Sequence, residues 1–214
     1  MLATAAMRRA CTRMLCASPR VMRPTSQPTL SFDPSAKTAM DKQEPPAPGA
    51  DFRVVIVGAG NINFGSDEGP WNHSFRLEHK LGPRLKVVAL IDPDAERARR
   101  VLKTKCQSFV LSAYKDTVVY PTFKDYMESV RAETYPHAVW VGSPPAFRGG
   151  TEPGRNLEQL LTAGLPNVPL FIEKPVSTGA VDQTFEVAKM LEQNGSLVSV
   201  GYMPVSYTHL RAHE

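Results

Sequence analysis

The sequence predicts an α/β protein built on a doubly wound, mostly parallel sheet, and three observations point there. Short β-branched or aromatic runs recur along residues 51–203, most of them apolar throughout rather than alternating. That is the pattern of strands covered on both faces. Helix-length segments with recognisable stops separate the runs, and the order βαβα is the one that feeds parallel strands. The first run ends directly on Gly58-Ala59-Gly60.

The strand candidates are Arg53–Gly58, Lys86–Asp92, Val118–Tyr120, Ala138–Gly142, Leu170–Glu173 and Leu197–Gly201. Helices are expected near Trp71–Leu81, stopped by Gly82, and near Asp94–Gln107. Further helices are expected over Phe123–Glu133, Asn156–Ala163 before Gly164, and Val181–Gln193 before Asn194-Gly195. Glycine or asparagine just past a periodic run supplies the left-handed residue on which helices commonly end.

The flanks obey a different logic. Residues 1–50 are rich in Ala, Ser, Thr, Pro and Arg and lack sustained periodicity. The opening 1–32 holds Arg8, Arg9, Arg13, Arg20 and Arg23 with no Asp, Glu or Lys. This is the composition of a mitochondrial presequence. The competing reading is a disordered extension, or untranslated sequence with Met40 as initiator. Residues 41–50 read as a Pro-rich linker. At the other end, Pro204–Glu214 (PVSYTHLRAHE) has no turn logic and resembles a translated sequencing adapter, a short genuine tail being the alternative. His209 and His213 are therefore not read as metal ligands, and no metal is expected.

Composition narrows the function classes. The chain is 42% hydrophobic and 21% charged, ordinary for a globular protein. No apolar run reaches the ~18 residues of a membrane span. Its formal charge of +4 resides in the leader, and residues 51–214 carry as many acidic as basic side chains. A nucleic-acid footprint is thus absent. Cys11, Cys16 and Cys106 form no disulfide framework and fit a reducing compartment. The expected location is the cytoplasm, or the mitochondrion if 1–32 is a presequence.

Gly58 and Gly60 stand where a dinucleotide site needs backbone without Cβ atoms. The first permits the tight turn, and the second lets a diphosphate approach the main chain. Asn61 and Ile62 follow as backbone contacts. Asn63 occupies the place of the usual third glycine, and Asn61–Gly69 makes the turn unusually long. Pro70 suits a first helical position, so a helix near Trp71 is expected to aim its N-terminus at the diphosphate. Asp67 and Glu68 are expected to face solvent, Trp71 and Phe75 to pack in the core, and His73 to lie on a helix surface. Asp92 closes the second strand, where a carboxylate accepts ribose hydroxyls. Its distance from the glycines exceeds the usual ~20 residues by the length of the turn. A 2′-phosphate would meet Asp92 as a like charge, costing ~4 kcal/mol at 4 Å and an effective dielectric near 20. NAD is therefore expected ahead of NADP. Arg97, Arg99 and Arg100 read as a solvated helix face, and an N-cap role for Asp92 before Pro93 is the alternative.

Glu173-Lys174-Pro175 after a strand, with the Gly58–Gly60 turn, Asp92 and Ser143-Pro144-Pro145, resembles the glucose–fructose oxidoreductase / inositol dehydrogenase (Gfo/Idh/MocA) family over residues 51–203. Phe147-Arg148 stands where that family often has a histidine. The resemblance implies a Rossmann domain with Lys174 beside the nicotinamide and the reacting carbon, and a Lys-Pro bond that is commonly cis. Glu173 and the turn Ser143, Pro144, Pro145 would flank the nicotinamide end. It also implies hydride exchange with a secondary alcohol of a sugar, polyol or related molecule, in an enzyme that is a homo-oligomer. The family's substrate pocket and general base belong to a second α+β domain, which residues 1–214 do not contain on this reading. The chain alone is then expected to bind cofactor without turnover and to expose apolar surface. A non-catalytic dinucleotide sensor is the alternative, disfavoured by an ammonium it would not need. A methyltransferase also carries an acid after its second strand, but has no purpose for the Glu-Lys-Pro turn.

Overall fold

The computed structural model describes residues 46–66 and 72–202. The expectations for the leader, for Asp67, Glu68, Pro70 and Trp71, and for the tail lie outside the described residues. Six strands form one all-parallel sheet: β1 (Phe52–Val57), β2 (Leu85–Ile91), β3 (Val118–Tyr120), β4 (Ala138–Val141), β5 (Leu170–Ile172) and β6 (Val198–Val200). Their order is β3-β2-β1-β4-β5-β6. The chain enters at the centre, winds to one edge, returns across β1 and winds to the other. The point of reversal, between β1 and β4, is where open α/β sheets bind ligands at their carboxyl ends.

The helices are α1 (Asn61–Phe64), α2 (His73–Leu81), α3 (Ala95–Cys106), α4 (Leu111–Tyr114), α5 (Phe123–Ser129), α6 (Leu157–Gly164) and α7 (Val181–Gln193). Alternation along the strands sends successive side chains to opposite faces. Val55, Val57, Val139, Val141 and Ile172 pack against Tyr126, Leu161, Val187 and Leu191 from α5, α6 and α7. Val54, Ile56 and Leu90 pack on the other face against Leu77, Ala98, Leu102 and Tyr114 from α2, α3 and α4. Each Val, Leu or Ile among them contributes ~1.5–3 kcal/mol on burial.

Differences from the sequence reading have local causes. The one-turn helices α1 and α4 were not expected, because four residues are too few to show a period. The helix expected over Phe123–Glu133 ends at Ser129, with Val130 extended at φ −66°, ψ 139° and a separate 3-10 turn at Ala132–Thr134. Val130 and Tyr135 both pack on the same core. Residues five apart on a straight helix point ~140° apart, so the chain has to break between them. Phe75, expected in the core, is 45% exposed.

Register decides what the carboxyl edge looks like. Tyr120, Ile91, Val57, Val141, Ile172 and Val200 form one row across the sheet. The next residue on five of these strands donates its N–H to the last residue of a neighbour: Asp92 to Tyr120 (3.0 Å), Gly58 to Ile91 (2.8 Å), and Gly142 to Val57, Glu173 to Val141 and Gly201 to Ile172 (2.9 Å each). Asp92, Gly58, Gly142, Glu173 and Gly201 therefore line a single rim. At ~4.8 Å per strand, Gly58 and Glu173 stand ~10 Å apart.

Candidate functional site

Gly58 opens the turn between β1 and α1 with φ +98°. A Cβ there would lie 3.0 Å from Gly142 C and from Ser143 N, the backbone leaving β4. Both its conformation and its neighbour exclude a side chain. Gly60 differs: it has φ −80°, which any residue adopts, and open space around its Cβ direction. The fold itself makes no demand for glycine at Gly60, so a requirement there would come from what approaches the turn. Asn61 and Ile62 begin α1 and are exposed at the same turn.

Asn63 accounts for the missing third glycine. It is fully buried, and its Nδ2 donates to Val57 O (3.1 Å) and Gly58 O (2.7 Å). A Cβ on Gly142 would overlap its side-chain amide. Glycine is thus needed on β4 instead of α1, and Asn63 ties the turn to its strand through the room this leaves. The pairing of a buried amide with a bare strand end is visible only once β1 and β4 are known to be neighbours.

Asp92 is bound tightly to this turn. Its Oδ2 accepts from Ala59 N (2.6 Å), and its Oδ1 accepts from Asp94 N and Arg97 Nη2 (both 2.8 Å). The α3 N-cap is Asp94, which accepts from Arg97 N at 2.9 Å, so the alternative of Asp92 as the cap does not hold. Among the three arginines of α3, Arg97 is on the carboxylate rather than purely solvated, although its side chain remains 45% exposed. The hydrogen bond that Arg97 donates to Asp92 raises the Arg97 pKa.

The opposite half of the rim is built by β4 and β5. Lys174 follows Glu173 as an exposed residue, and the Lys174-Pro175 peptide is cis. The Glu173 carboxylate turns toward α2, where His73 Nε2 lies 3.2 Å from Oε1. His73 was expected on a helix surface but is 2% exposed, enclosed edge-on by Phe171 (4.8 Å between ring centroids) and by Trp140 (5.7 Å). The periodicity of α2 could not reveal a partner a hundred residues away. Burial lowers the His73 pKa and outweighs the opposing pull of Glu173.

After β4, Ser143 and Pro144 lead into a 3-10 turn at Pro145–Phe147. Arg148 follows and is 1% exposed. Its Nε donates to Ser143 O (3.0 Å) and its Nη1 to Val176 O (2.8 Å), joining the loops that leave β4 and β5. Behind it, the buried Glu158 accepts from Gly149 N (2.8 Å), and burial pushes its carboxyl pKa up. The sequence marked Arg148 only as a departure from the family pattern and gave no sign of Glu158, since a buried Arg or Glu on a loop or short helix reads like any surface charge.

The rim fits a dinucleotide. Open space fronts Gly60, and Ser143 Oγ, at the exit of β4, has no hydrogen-bond partner among the described residues. A ribose hydroxyl is a partner of the kind this atom needs. No cluster of three or more His, Cys, Asp or Glu able to hold a metal occurs among the described residues. No helix among them is long and apolar enough to cross a membrane.

Comparison with known proteins agrees with this geometry. Residues 52–202 match the model of an oxidoreductase family described by its NAD-binding Rossmann fold. Two uncharacterised proteins of Schizosaccharomyces pombe are similar. One is 43% identical over 157 residues, covering 72% of this chain and 41% of the relative. The other is 42% identical over 164 residues, covering 75% and 40%. The chain thus spans about two-fifths of the length of these relatives. The structure of the WlbA dehydrogenase from Chromobacterium violaceum, in complex with NADH and UDP-GlcNAcA, shares the fold. It has a TM-score of 0.50 and 16% identity, over 74% of this chain and 37% of that one.

Proposed function

Because the chain belongs to the Gfo/Idh/MocA oxidoreductase family with its NAD-binding Rossmann fold, we propose that its carboxyl rim is the cofactor half of an enzyme that oxidises or reduces a secondary alcohol. The substrate class is a sugar, polyol or related molecule. One observation carries this reading: strand register sets the Gly58–Gly60 turn, Asp92 and the Glu173-Lys174-Pro175 turn along one edge at the topological reversal.

On this reading the backbone of Gly58, Gly60, Asn61 and Ile62 receives the diphosphate, with no Cβ in its path at Gly60. Asp92, held by Ala59 N–H and Arg97, marks the adenosine ribose. Ser143, Pro144 and Pro145 flank the nicotinamide ribose, with Glu173 and Lys174 beyond it. When bound, NAD supplies a nicotinamide carbon that exchanges hydride with the alcohol carbon. Lys174 donates a hydrogen bond to the alcohol oxygen and stabilises the negative charge that grows there as hydride leaves. A preorganised donor of this kind contributes ~3–4 kcal/mol to the transition state. The substrate pocket and general base come from outside this rim, so residues 52–202 bind cofactor without turning over alcohol.

Titration of the chain with NADH tests the reading. Trp140 stacks on Phe171 beside Glu173, with ring centroids 4.2 Å apart, which makes it a donor for energy transfer to a nicotinamide at this end of the rim. Saturable NADH emission on tryptophan excitation is expected. A chain that folds but binds no NADH would remove the proposal.

A further inference from the structure

Glu173 is the residue immediately before Lys174, and its carboxylate does not point out over the rim. It is 7% exposed and lies in a slot with three walls. Phe171 and Trp140 stack to form one, the His73 ring stands edge-on to Phe171 as the second, and the third is the bare backbone of Gly201. A Cβ on Gly201 would come within 3.0 Å of the Phe171 ring and 3.1 Å of Glu173 Oε1. The end of β6 thus leaves room for this carboxylate. A buried carboxylate without a donor is costly, and here the donor is His73 Nε2.

The imidazole is itself held firmly. His73 is the first residue of α2, whose cap Asn72 accepts from Phe75 N (2.9 Å) and from Ser74 Oγ (2.7 Å), while Leu77 anchors the next turn in the core. The position of Glu173 is therefore set from α2, the second helix after the Gly58–Gly60 turn.

We propose that His73 is a positioning residue for the Glu173-Lys174-Pro175 turn: by clasping the Glu173 carboxylate beneath the rim, it fixes where the Lys174 backbone leaves the sheet and so where the nicotinamide end of the cofactor is met. The proposal rests on the cofactor orientation given above. It assigns Glu173 a supporting part through His73, and it makes the nicotinamide end depend on a helix from the diphosphate side.

The test compares two ligands on the whole chain. NADH reaches both ends of the rim, whereas ADP-ribose lacks the nicotinamide. His73→Leu keeps apolar contact with Phe171 and Trp140 but removes the donor. It is expected to weaken NADH about tenfold or more, the size of a lost hydrogen bond to a charged group, and to leave ADP-ribose within about twofold. His73→Gln restores a donor and is expected to bring NADH back to within about threefold of the wild type. Glu173→Leu removes the other half of the clasp and is expected to weaken NADH selectively by a similar factor. This gives a reading even if His73→Leu does not fold. Equal weakening of both ligands by His73→Leu, or no change in either, would overturn the clasp, as would no rescue by His73→Gln or a Glu173→Leu chain that keeps the wild-type ratio of the two affinities. A wild-type chain that binds neither ligand would overturn the cofactor orientation itself.

Discussion

The two glycines of the β1–α1 turn are predicted to fail in opposite ways when each is changed to alanine. In Gly58→Ala the new methyl group sits on a residue with φ +98°, and a left-handed L-residue costs ~1–2 kcal/mol. It also meets Gly142 C and Ser143 N at 3.0 Å, and these are backbone atoms of a central strand exit that cannot swing aside. Overpacking of that kind adds ~1–3 kcal/mol. The sum, ~2–5 kcal/mol, is a large part of the ~5–15 kcal/mol that holds a domain together. For a chain of this size it lowers the melting temperature by about 5–20 °C. Gly60→Ala adds its methyl to open space at an ordinary φ of −80°. Reduced unfolded-state freedom favours it by ~0.4–1 kcal/mol, and alanine is a poorer N-cap than glycine by a similar amount. Its melting temperature should stay close to the wild type, but NADH affinity should fall about tenfold or more, because the methyl stands where the diphosphate would approach. Thermal melts followed by circular dichroism and NADH titrations at low temperature read both effects. A Gly60→Ala chain with full NADH affinity would refute the placement of the diphosphate, and an unchanged melt for Gly58→Ala would refute the turn.

Two further outcomes follow from the buried charges. Asp92→Ala leaves the N–H groups of Ala59 and Asp94 without their acceptor and should cost ~2–3 kcal/mol, whereas Arg97→Ala, removing the half-exposed partner, should cost ~1 kcal/mol or less. Urea denaturation ranks the two, and the reverse order would contradict the view that Asp92 staples the turn. Glu158 has its pKa raised by burial, so the folded chain holds that proton more tightly than the unfolded one. Its contribution to stability is greatest below the ordinary carboxylate pKa and declines as pH rises through the folded value. Glu158→Gln should gain stability relative to the wild type across that rise, and a difference between the two chains that does not change with pH would contradict the burial.

Much of the rim was legible because strands announce themselves by composition and because the residue after a strand end inherits its position from register. Gly58, Asp92, Ser143 and Glu173 could be placed that way, as could the order of helices between them. What stayed hidden depends on partners far along the chain. Asn63 looked like a lost glycine until Gly142 was seen beneath it, and His73 looked like a surface residue until Glu173 closed over it. Arg97 and Arg148 show the same limit, since a guanidinium on a buried carboxylate and one spanning two loops have the same sequence signature as a solvated one. The helices α1 and α4 were missed for want of length.

The most direct measurement is a crystal structure of the chain grown with NADH. The account predicts a diphosphate on the backbone at Gly58–Gly60, an adenosine ribose beside Asp92 and Arg97, and a nicotinamide within hydrogen-bonding distance of the Lys174 ammonium. NADH lodged instead in the ~550 Å³ cavity at the amino edge, between Arg53, Lys86 and Arg131, or a Lys174 amine remote from the nicotinamide, would contradict it.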